Sequence, residues 1–463
     1  MNKKQITTSL KDIITRCNRM ETDAQENRTL AQELLSFVQY VPIPDEEDEE
    51  PEPPVEEPEP PQTGTIIGLE GETVPQMIER ARAQYGNYKL GYVDDIRILL
   101  PAGDLPAFTL GIEQNQGDDY AYMNWIGTAR LVLRGHEDGT RLMPSPAVTG
   151  VTVLLNTQPS WRQRNGGGDP SWSGRVSVAS CTIFSSTLAC VQTIGPRATS
   201  DQSKWIFTPY EEVTFSDCVF RDHPDVSVSP KWVMILHHAA VNLLDCDVHT
   251  DRIKEHVIYS HNPCGGSQII GNTVTGCGGN FLQYVSRNTE GPSYGPSLVE
   301  VIDNKVSGWA NQPYRASNCI TIAGSGQDWT IKNNEFTDMV GADHAGGESF
   351  GCIVVWNEGG RFNPMASGAA NGKIVIRDNV MGGVNQNRAC VDVQDCELLV
   401  FELNYLFAKE LNVETDLVRS YRVVSNNIPN EALSDRLGYA DAWFRLDRSR
   451  AQAVPLLSVD VDV

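Results

Sequence analysis

The chain has 463 residues, 40% of them hydrophobic and 21% charged, which suits a water-soluble protein with a large core or one long solenoid. Its formal charge of −23 is concentrated in part between Asp45 and Glu59, where 10 carboxylates occur with no base among them; the remaining −13 still argues against nucleic acid as a partner. No stretch has the apolar length needed to span a bilayer, and no apolar run follows the basic Met1–Lys4, so neither membrane insertion nor secretory export is expected.

Residues 1–40 carry an unbroken 3-4 spacing of apolar positions. Ile6, Leu10, Ile13, Cys17, Met20, Ala24, Ala31, Leu34 and Val38 follow it, with Asn27 as a polar break that would fix register or chain number. This predicts a coiled-coil helix, or an amphipathic helix laid on another protein. In either case the stripe needs a partner, because a lone helix leaves it exposed. Residues 41–63 contain 8 prolines and the acidic run, so they read as an extended linker. Its reach in polyproline II is on the order of 70 Å at ~3.1 Å per residue.

Residues 64–143 read as a cap and first coil. Val74, Ile78, Ala81 and Tyr85 share a helical face. Strands follow at 96–100, ending in Pro101-Ala102-Gly103, and at 131–134, ending in Gly135 before Thr140-Arg141-Leu142.

From residue 181 a short phrase recurs: a small polar residue, a variable one, then an apolar one. Its clear copies are Asn272-Thr273-Val274, Asn304-Lys305-Val306, Asn334-Glu335-Phe336, Asn379-Val380-Met381 and Asn404-Tyr405-Leu406. Weaker copies are Cys181-Thr182-Ile183, Asp217-Cys218-Val219 and Cys246-Asp247-Val248. The markers lie 36, 29, 26, 32, 30, 45 and 25 residues apart. Such a period means stacked units, each too small to bury its own apolar face. Short β runs with Gly- and Asn-rich turns make this an all-β parallel β-helix over residues 64–409. Residues 410–463 are expected to cap its last coil through a helical patch at 431–448 and a closing strand at 459–463.

Eleven cysteines are spread from Cys17 to Cys396 without a Cys-x-x-Cys pair. Cys319, Cys352 and Cys390 open similar runs, which predicts a column of stacked, buried thiols rather than bridges, formed in a reducing cytoplasm. No metal or other cofactor is called for. Gly166-Gly167-Gly168 lacks the Lys-Ser/Thr of a phosphate loop. The two G-x-S-x-G matches, at Gly291–Gly295 and Gly347–Gly351, fall between coils rather than at a strand-to-helix turn.

Aligning the strands that begin at Val257, Phe281, Cys319, Cys352 and Cys390 points Ile258, Leu282, Ile320, Ile353 and Val391 inward. Tyr259, Gln283, Thr321, Val354 and Asp392 face outward, followed by His261, Val285, Ala323, Trp356 and Gln394. Tyr259, His261, Arg287, Trp356 and Asp392 thus form a candidate sugar-binding face, since flat rings stack on sugars and carboxylates accept from hydroxyls. Trp161 and Trp172, in a Gly-rich loop, are further stacking candidates. Glu358 and Asp395, beyond neighbouring strands, are the candidate catalytic carboxylates for glycoside hydrolysis, which needs two such groups at about 5–5.5 or 6.5–9.5 Å.

The opening helix, the strand ending in Pro-Ala-Gly and the apolar strand ending in Gly before Thr resemble the start of pectin-lyase-like right-handed β-helix proteins, among them bacteriophage tailspikes. The resemblance extends over about residues 70–410. It implies a right-handed solenoid and a homotrimeric spike or fibre on the tail, neck or capsid of a virion. Such a spike would be attached to another virion protein through Ile6, Leu10, Ile13, Met20, Leu34 and Val38, and would face a bacterial surface polysaccharide. The same superfamily holds lyases, hydrolases and inert adhesins, so a polysaccharide depolymerase is the alternative.

Overall fold

The computed structural model describes residues 63–85, 95–114, 120–123, 130–156, 174–194, 210–237, 241–261, 266–285, 298–309, 318–323, 327–337, 352–356, 371–381, 389–393, 396–406, 410–414, 418–424, 444–447 and 456–460. The coiled-coil segment and the linker to residue 62 lie outside these. The chain divides at Pro60/Pro61, and all that follows concerns the second unit.

That unit is a parallel β-helix. Among the described residues three sheets of 13, 10 and 12 strands run along it, here called sheets I, II and III, and the chain visits them in turn. One coil comprises Tyr210–Ser216 in sheet I, Val219–Arg221 in sheet II and Met234–His237 in sheet III; the next begins at Asn242 back in sheet I. Neighbouring coils pair parallel and in register, as Val219 with Asp247 and Asp247 with Thr273. Among the described strands the antiparallel exception is the hairpin of Phe108–Gln114 with Tyr120–Met123 at the edge of sheet III, and a single antiparallel bridge joins Ser145 to Val148.

Alternation explains the core. In sheet II the central residues Ile183, Phe220, Val248, Val274, Val306, Phe336 and Met381 stack inward and are buried, while their neighbours face out. Each such side chain adds roughly 1.5–3 kcal/mol by leaving water. The interior also takes large rings: Tyr284 packs edge-on to Trp329 at 4.9 Å between centroids.

The recurring marker is the corner between sheets I and II. Asn272, Asn304, Asn334, Asn379 and Asn404 are buried and form a ladder: each of the first four donates Nδ2–H to the next Oδ1 at 2.8–3.0 Å. Each Nδ2 also donates to a sheet I carbonyl, as Asn334 to Val301 at 2.8 Å. Cys246 and Cys218 extend the column, for the Cys246 N–H donates to Asn272 Oδ1 at 2.9 Å and the Cys218 N–H to Cys246 Sγ at 3.4 Å. The residue before each rung is left-handed: Ser180, Asp217, Asp245, Gly271, Asp303, Asn333, Asp378 and Leu403. This corrects one phrase of the repeat. Asp217 is the left-handed residue (φ 50°), and Cys218 is the rung. Short polar side chains tolerate that conformation, which is why Asp, Asn and Gly dominate it.

The helix Val74–Tyr85 closes the first coil with Val74, Met77, Ile78 and Ala81 fully buried. Gln76 accepts the Thr73 N–H at 2.8 Å, half of a capping box. Tyr85 covers the open edge of strand Thr63–Ile67: its hydroxyl accepts from the Thr65 N–H at 2.8 Å and donates to the Thr65 carbonyl at 2.7 Å. A Cβ on Gly64 would sit 2.9 Å from the Tyr85 ring, so this approach requires glycine.

At the far end the parallel pairing runs beyond residue 409. Glu410–Glu414 and Phe444–Asp447 join sheet III, and Val418–Val424 and Leu456–Asp460 join sheet I. Phe444–Asp447 is thus a strand inside the stretch expected to be helical. The apolar alternation of sheet III persists there in Phe444 and Leu446, and pairing on the preceding coil outweighs local helix propensity. The eight cysteines whose side chains are described are free and buried, and Cys319 and Cys352 occupy equivalent positions, as the thiol column predicted.

Candidate functional site

Sheet II strands end on an outward row in register: Phe184, Arg221, His249 and Thr275. Beyond them the chain turns toward sheet III through loops of unequal length, and the overhang of the longest leaves a cleft of about 510 Å³. Arg221, Asp222, His223, His249, Asp251 and Arg252 supply its charged and titratable lining.

The longest loop, residues 222–231, is held as a fixed wall. Asp222 accepts the backbone N–H of Asp251 at 2.9 Å and of Arg252 at 3.2 Å. The Arg252 guanidinium donates to the carbonyls of Asp225 at 2.6 Å, of Val228 at 3.3 Å and of His223. It also stands 3.7 Å from Asp222 Oδ2. Asp225 turns the tip by accepting from Ser227 N–H and Oγ–H at 2.9 and 2.8 Å. The returning limb lies on the next coil, with Lys254 and Glu255 N–H donating to the carbonyls of Pro230 and Lys231. At Gly278 a Cβ would sit 2.4 Å from the carbonyls of Ile253 and Lys254, so only glycine lets the following loop tuck in.

Bond patterns assign the imidazoles. The Asp225 N–H donates to His223 Nδ1 at 2.9 Å, so the proton of neutral His223 sits on Nε2. Thr275 Oγ1 donates to the Val248 carbonyl at 3.4 Å and lies 2.6 Å from His249 Nδ1. With the hydroxyl proton directed at Val248, His249 donates from Nδ1 and keeps its lone pair on Nε2.

Burial raises the Asp222 carboxyl above the usual carboxylate range, and the nearby Asp251 carboxylate adds to this. The two backbone N–H donors and Arg252 oppose the rise without cancelling it. By contrast, Arg221 and Asp251 are exposed, and neither side chain makes a hydrogen bond or ion pair with another described residue. One cleft therefore presents a guanidinium and a carboxylate that are unpaired among the described residues, together with a half-buried acid. Among the described residues no three His, Cys, Asp or Glu side chains converge as a metal site would require.

The face read from the sequence is sheet III. Its strand alignment holds, as Ile258, Leu282, Ile320, Ile353 and Val391 are in register and buried. The outward row Tyr259, Gln283, Thr321, Val354 and Asp392 is in register too, but most of it is covered. Thr321, Val354 and Asp392 are 2%, 0% and 6% exposed, and Val285 and Ala323 in the next row are also buried. Thr321 Oγ1 accepts from Asn280 Nδ2 at 2.8 Å and Asn318 Nδ2 at 3.0 Å, so polar side chains lie across the sheet there. Tyr259 is half-buried, and Trp232 stacks on its face at 5.9 Å and 15°. Lys231 Nζ lies 5.3 Å from the centroid of the Trp232 ring, and His256 packs on Tyr259 at 5.3 Å. These rings support the end of the 222–231 loop and pack on the satellite cluster of Ala107, Val148, Val151, Ala189 and Ile235.

His261 pairs with His237 on sheet III, and Trp356 with Ala323; their side chains are outside the described residues. So are Glu358, Asp395, Arg287, Trp161, Trp172 and the anchor positions Ile6, Leu10, Ile13, Met20, Leu34 and Val38. Sequence reasoning missed the cleft because it looked beyond sheet III strands for acids. The signal was present beyond sheet II, where Asp222 and Asp251 stand four and five residues past the rungs Cys218 and Cys246.

The chain matches no protein-family model and no curated protein. Among solved structures it is similar to the alginate lyase from Paenibacillus sp. str. FPU-7, with 11% identity over 79% of this chain and 95% of that one and a TM-score of 0.35. It is also similar to the catalytic domain of a GH87 α-1,3-glucanase, with 12% identity over 84% of this chain and 70% of that one and a TM-score of 0.41. At these identities and scores no residue of either structure transfers a role to this chain.

Proposed function

We propose that the protein is a β-helical spike or fibre of a bacteriophage virion that binds a polysaccharide on the bacterial surface. The observation that carries the binding step is the cleft, where Arg221 and Asp251, unpaired among the described residues, stand beside His249 and a wall fixed by Arg252. A polyhydroxylated polymer needs both donors and acceptors held in place, and a preformed site lowers the entropy cost of binding. The virion assignment rests on the resemblance and on module order: a heptad segment at 1–40, an acidic Pro-rich spacer at 41–63, then the solenoid. In this reading residues 1–40 trimerise and dock on another virion protein, and the protein works on the particle after folding in the host cytoplasm.

The test is binding of the full chain to capsular and lipopolysaccharide preparations from a panel of bacteria. Binding to at least one, weakened about tenfold or more by Arg221→Ala or Asp251→Ala, is the expected result, since charge-assisted hydrogen bonds contribute about 1.5–3 kcal/mol each. Binding to none overturns the reading. Sedimentation should give a trimer that becomes a monomer when residues 1–40 are deleted.

The raised carboxyl of Asp222 favours a second reading, in which the spike also cleaves its polymer. Asp222 and Asp251 line one cleft, and of the two the carboxyl that burial raises would be the general acid, with Asp251 as its partner. Reducing ends released by the full chain and lost in Asp222→Asn, with binding retained, would establish it. Release that persists in Asp222→Asn but stops in Glu358→Gln or Asp395→Asn would move the chemistry to the pair read from the sequence.

A further inference from the structure

We propose that the cleft selects an acidic saccharide unit, its anionic group held by Arg221 and its ring hydroxyls by Asp251 and His223. The inference rests on the polysaccharide-binding reading and adds the class of sugar.

Two guanidiniums line the cleft, and they are not equivalent. Arg252 is consumed as a strut by three backbone carbonyls and by Asp222. The side chain of Arg221, one residue before Asp222, makes no hydrogen bond or ion pair with any described residue. It shares the cleft with Asp251, yet the two are not within ion-pair distance, so each offers its charge to a ligand. A neutral sugar would satisfy Asp251, which accepts from hydroxyls, but would meet Arg221 only with neutral acceptors. A carboxylate or phosphate on the same ring matches the planar guanidinium fork and forms the stronger charge-assisted bonds. His223 presents a fixed Nε2–H donor, because its Nδ1 is held by the Asp225 N–H. Selection by Arg221 is also consistent with the net charge of −23. The field of the whole protein repels anions at long range, so an acidic ligand must be drawn by a local cation. Its affinity should then fall only modestly with salt, as for one ion pair.

Four probes on the full chain, titrated by calorimetry or by ligand-observed NMR, decide it: glucose, glucuronate, glucose 6-phosphate and inorganic phosphate. At least one acidic sugar should bind roughly tenfold or more tighter than glucose, and Arg221→Gln should abolish that margin while Arg221→Lys keeps part of it. Asp251→Asn should weaken the sugars but leave phosphate unchanged. Preference for glucuronate over glucose 6-phosphate assigns a carboxylate, and the reverse a phosphate. The inference is overturned if glucose binds as well as both acidic sugars, or if neither acidic sugar binds while the surface polysaccharide still does. It is equally overturned if inorganic phosphate binds as tightly as the better acidic sugar, which would mark a plain anion site. Loss of all polysaccharide binding would instead overturn the broader reading.

Discussion

Replacing Asn334 by alanine removes the middle rung of the asparagine ladder. Its Nδ2 donates to the Val301 carbonyl at 2.8 Å and to Asn379 Oδ1 at 2.9 Å. Its Oδ1 accepts from the Asn304 N–H and from Asn304 Nδ2, both at 2.9 Å. Two of the four partners keep other bonds: Asn304 Nδ2 still reaches the Ile269 carbonyl, and Asn379 Oδ1 still receives the Asn334 N–H. The buried Asn304 N–H is left without its acceptor. Four net bonds at about 0.5–1.5 kcal/mol each, plus about 1–3 kcal/mol for the desolvation of an orphaned amide, put the cost at about 3–9 kcal/mol. Asn334→Asp should cost at least as much, because it places an unpaired charge where two donated bonds were needed. Urea unfolding followed by tryptophan fluorescence measures this, with Trp309 and Trp329 as buried reporters. Hydrogen exchange at the Asn304 amide should accelerate in the same variant. A loss under about 1 kcal/mol at unchanged m, with Asn304 exchange unaltered, would refute the ladder as a major stabiliser of the corner.

Tyr85→Phe removes both bonds to Thr65 at the open strand edge and should cost about 1–3 kcal/mol, read as a lower Tm with the helix signal retained. Cys246→Asn should lengthen the ladder, giving the Cys218 N–H an oxygen acceptor in place of sulfur at 3.4 Å and placing Nδ2 near the Phe215 carbonyl, which Sγ now meets at 3.5 Å. A gain of about 1 kcal/mol is expected, and a lower Tm would show that the site cannot admit the larger side chain. Two carboxyls give opposite pH responses. Hydrogen bonding to Arg80 lowers Glu72, so its contribution is complete above the ordinary value of 4.5 and disappears as pH falls through the lowered pKa; Glu72→Gln should remove that acid-side loss. Burial raises Asp222, so in the folded state it binds its proton more tightly than in the unfolded one, and stability declines as pH climbs from the ordinary 3.8 through the raised value. Asp222→Asn should flatten that decline in pH-resolved denaturation, and an unchanged slope would show that the carboxyl is not held up by burial.

Much of this architecture can be read from residue order, because a parallel solenoid repeats the same local problem on every coil. Rung spacing, inward rows in sheets II and III, the capping helix with Val74, Ile78 and Ala81, and the stacking of Cys319 on Cys352 all follow from period and polarity. The rung register slipped at Asp217 because two short polar residues adjoin there, and only backbone φ tells the left-handed residue from the rung. Alternation says which way a side chain points relative to its own sheet. It does not say whether something lies on that side. Thr321, Val354 and Asp392 point outward as read, and are buried. The cleft was hidden for a related reason. Arg221, Asp222, His249 and Asp251 lie up to 30 positions apart and share a site only through exact coil stacking and unequal loop lengths.

What the amino-acid order determined by itself is the solenoid and its faces, since periodicity and left-handed-tolerant corners recur at every turn and leave few other ways to bury the apolar rows. Only the tertiary structure decided which outward residues remain open to a ligand, because that depends on how non-repeating loops fold across the sheets. It also decided which arginine is spent on the protein and which has no side-chain partner among the described residues. Arg252 and Arg221 are alike in composition, and only the three carbonyls gathered around Arg252 make them different.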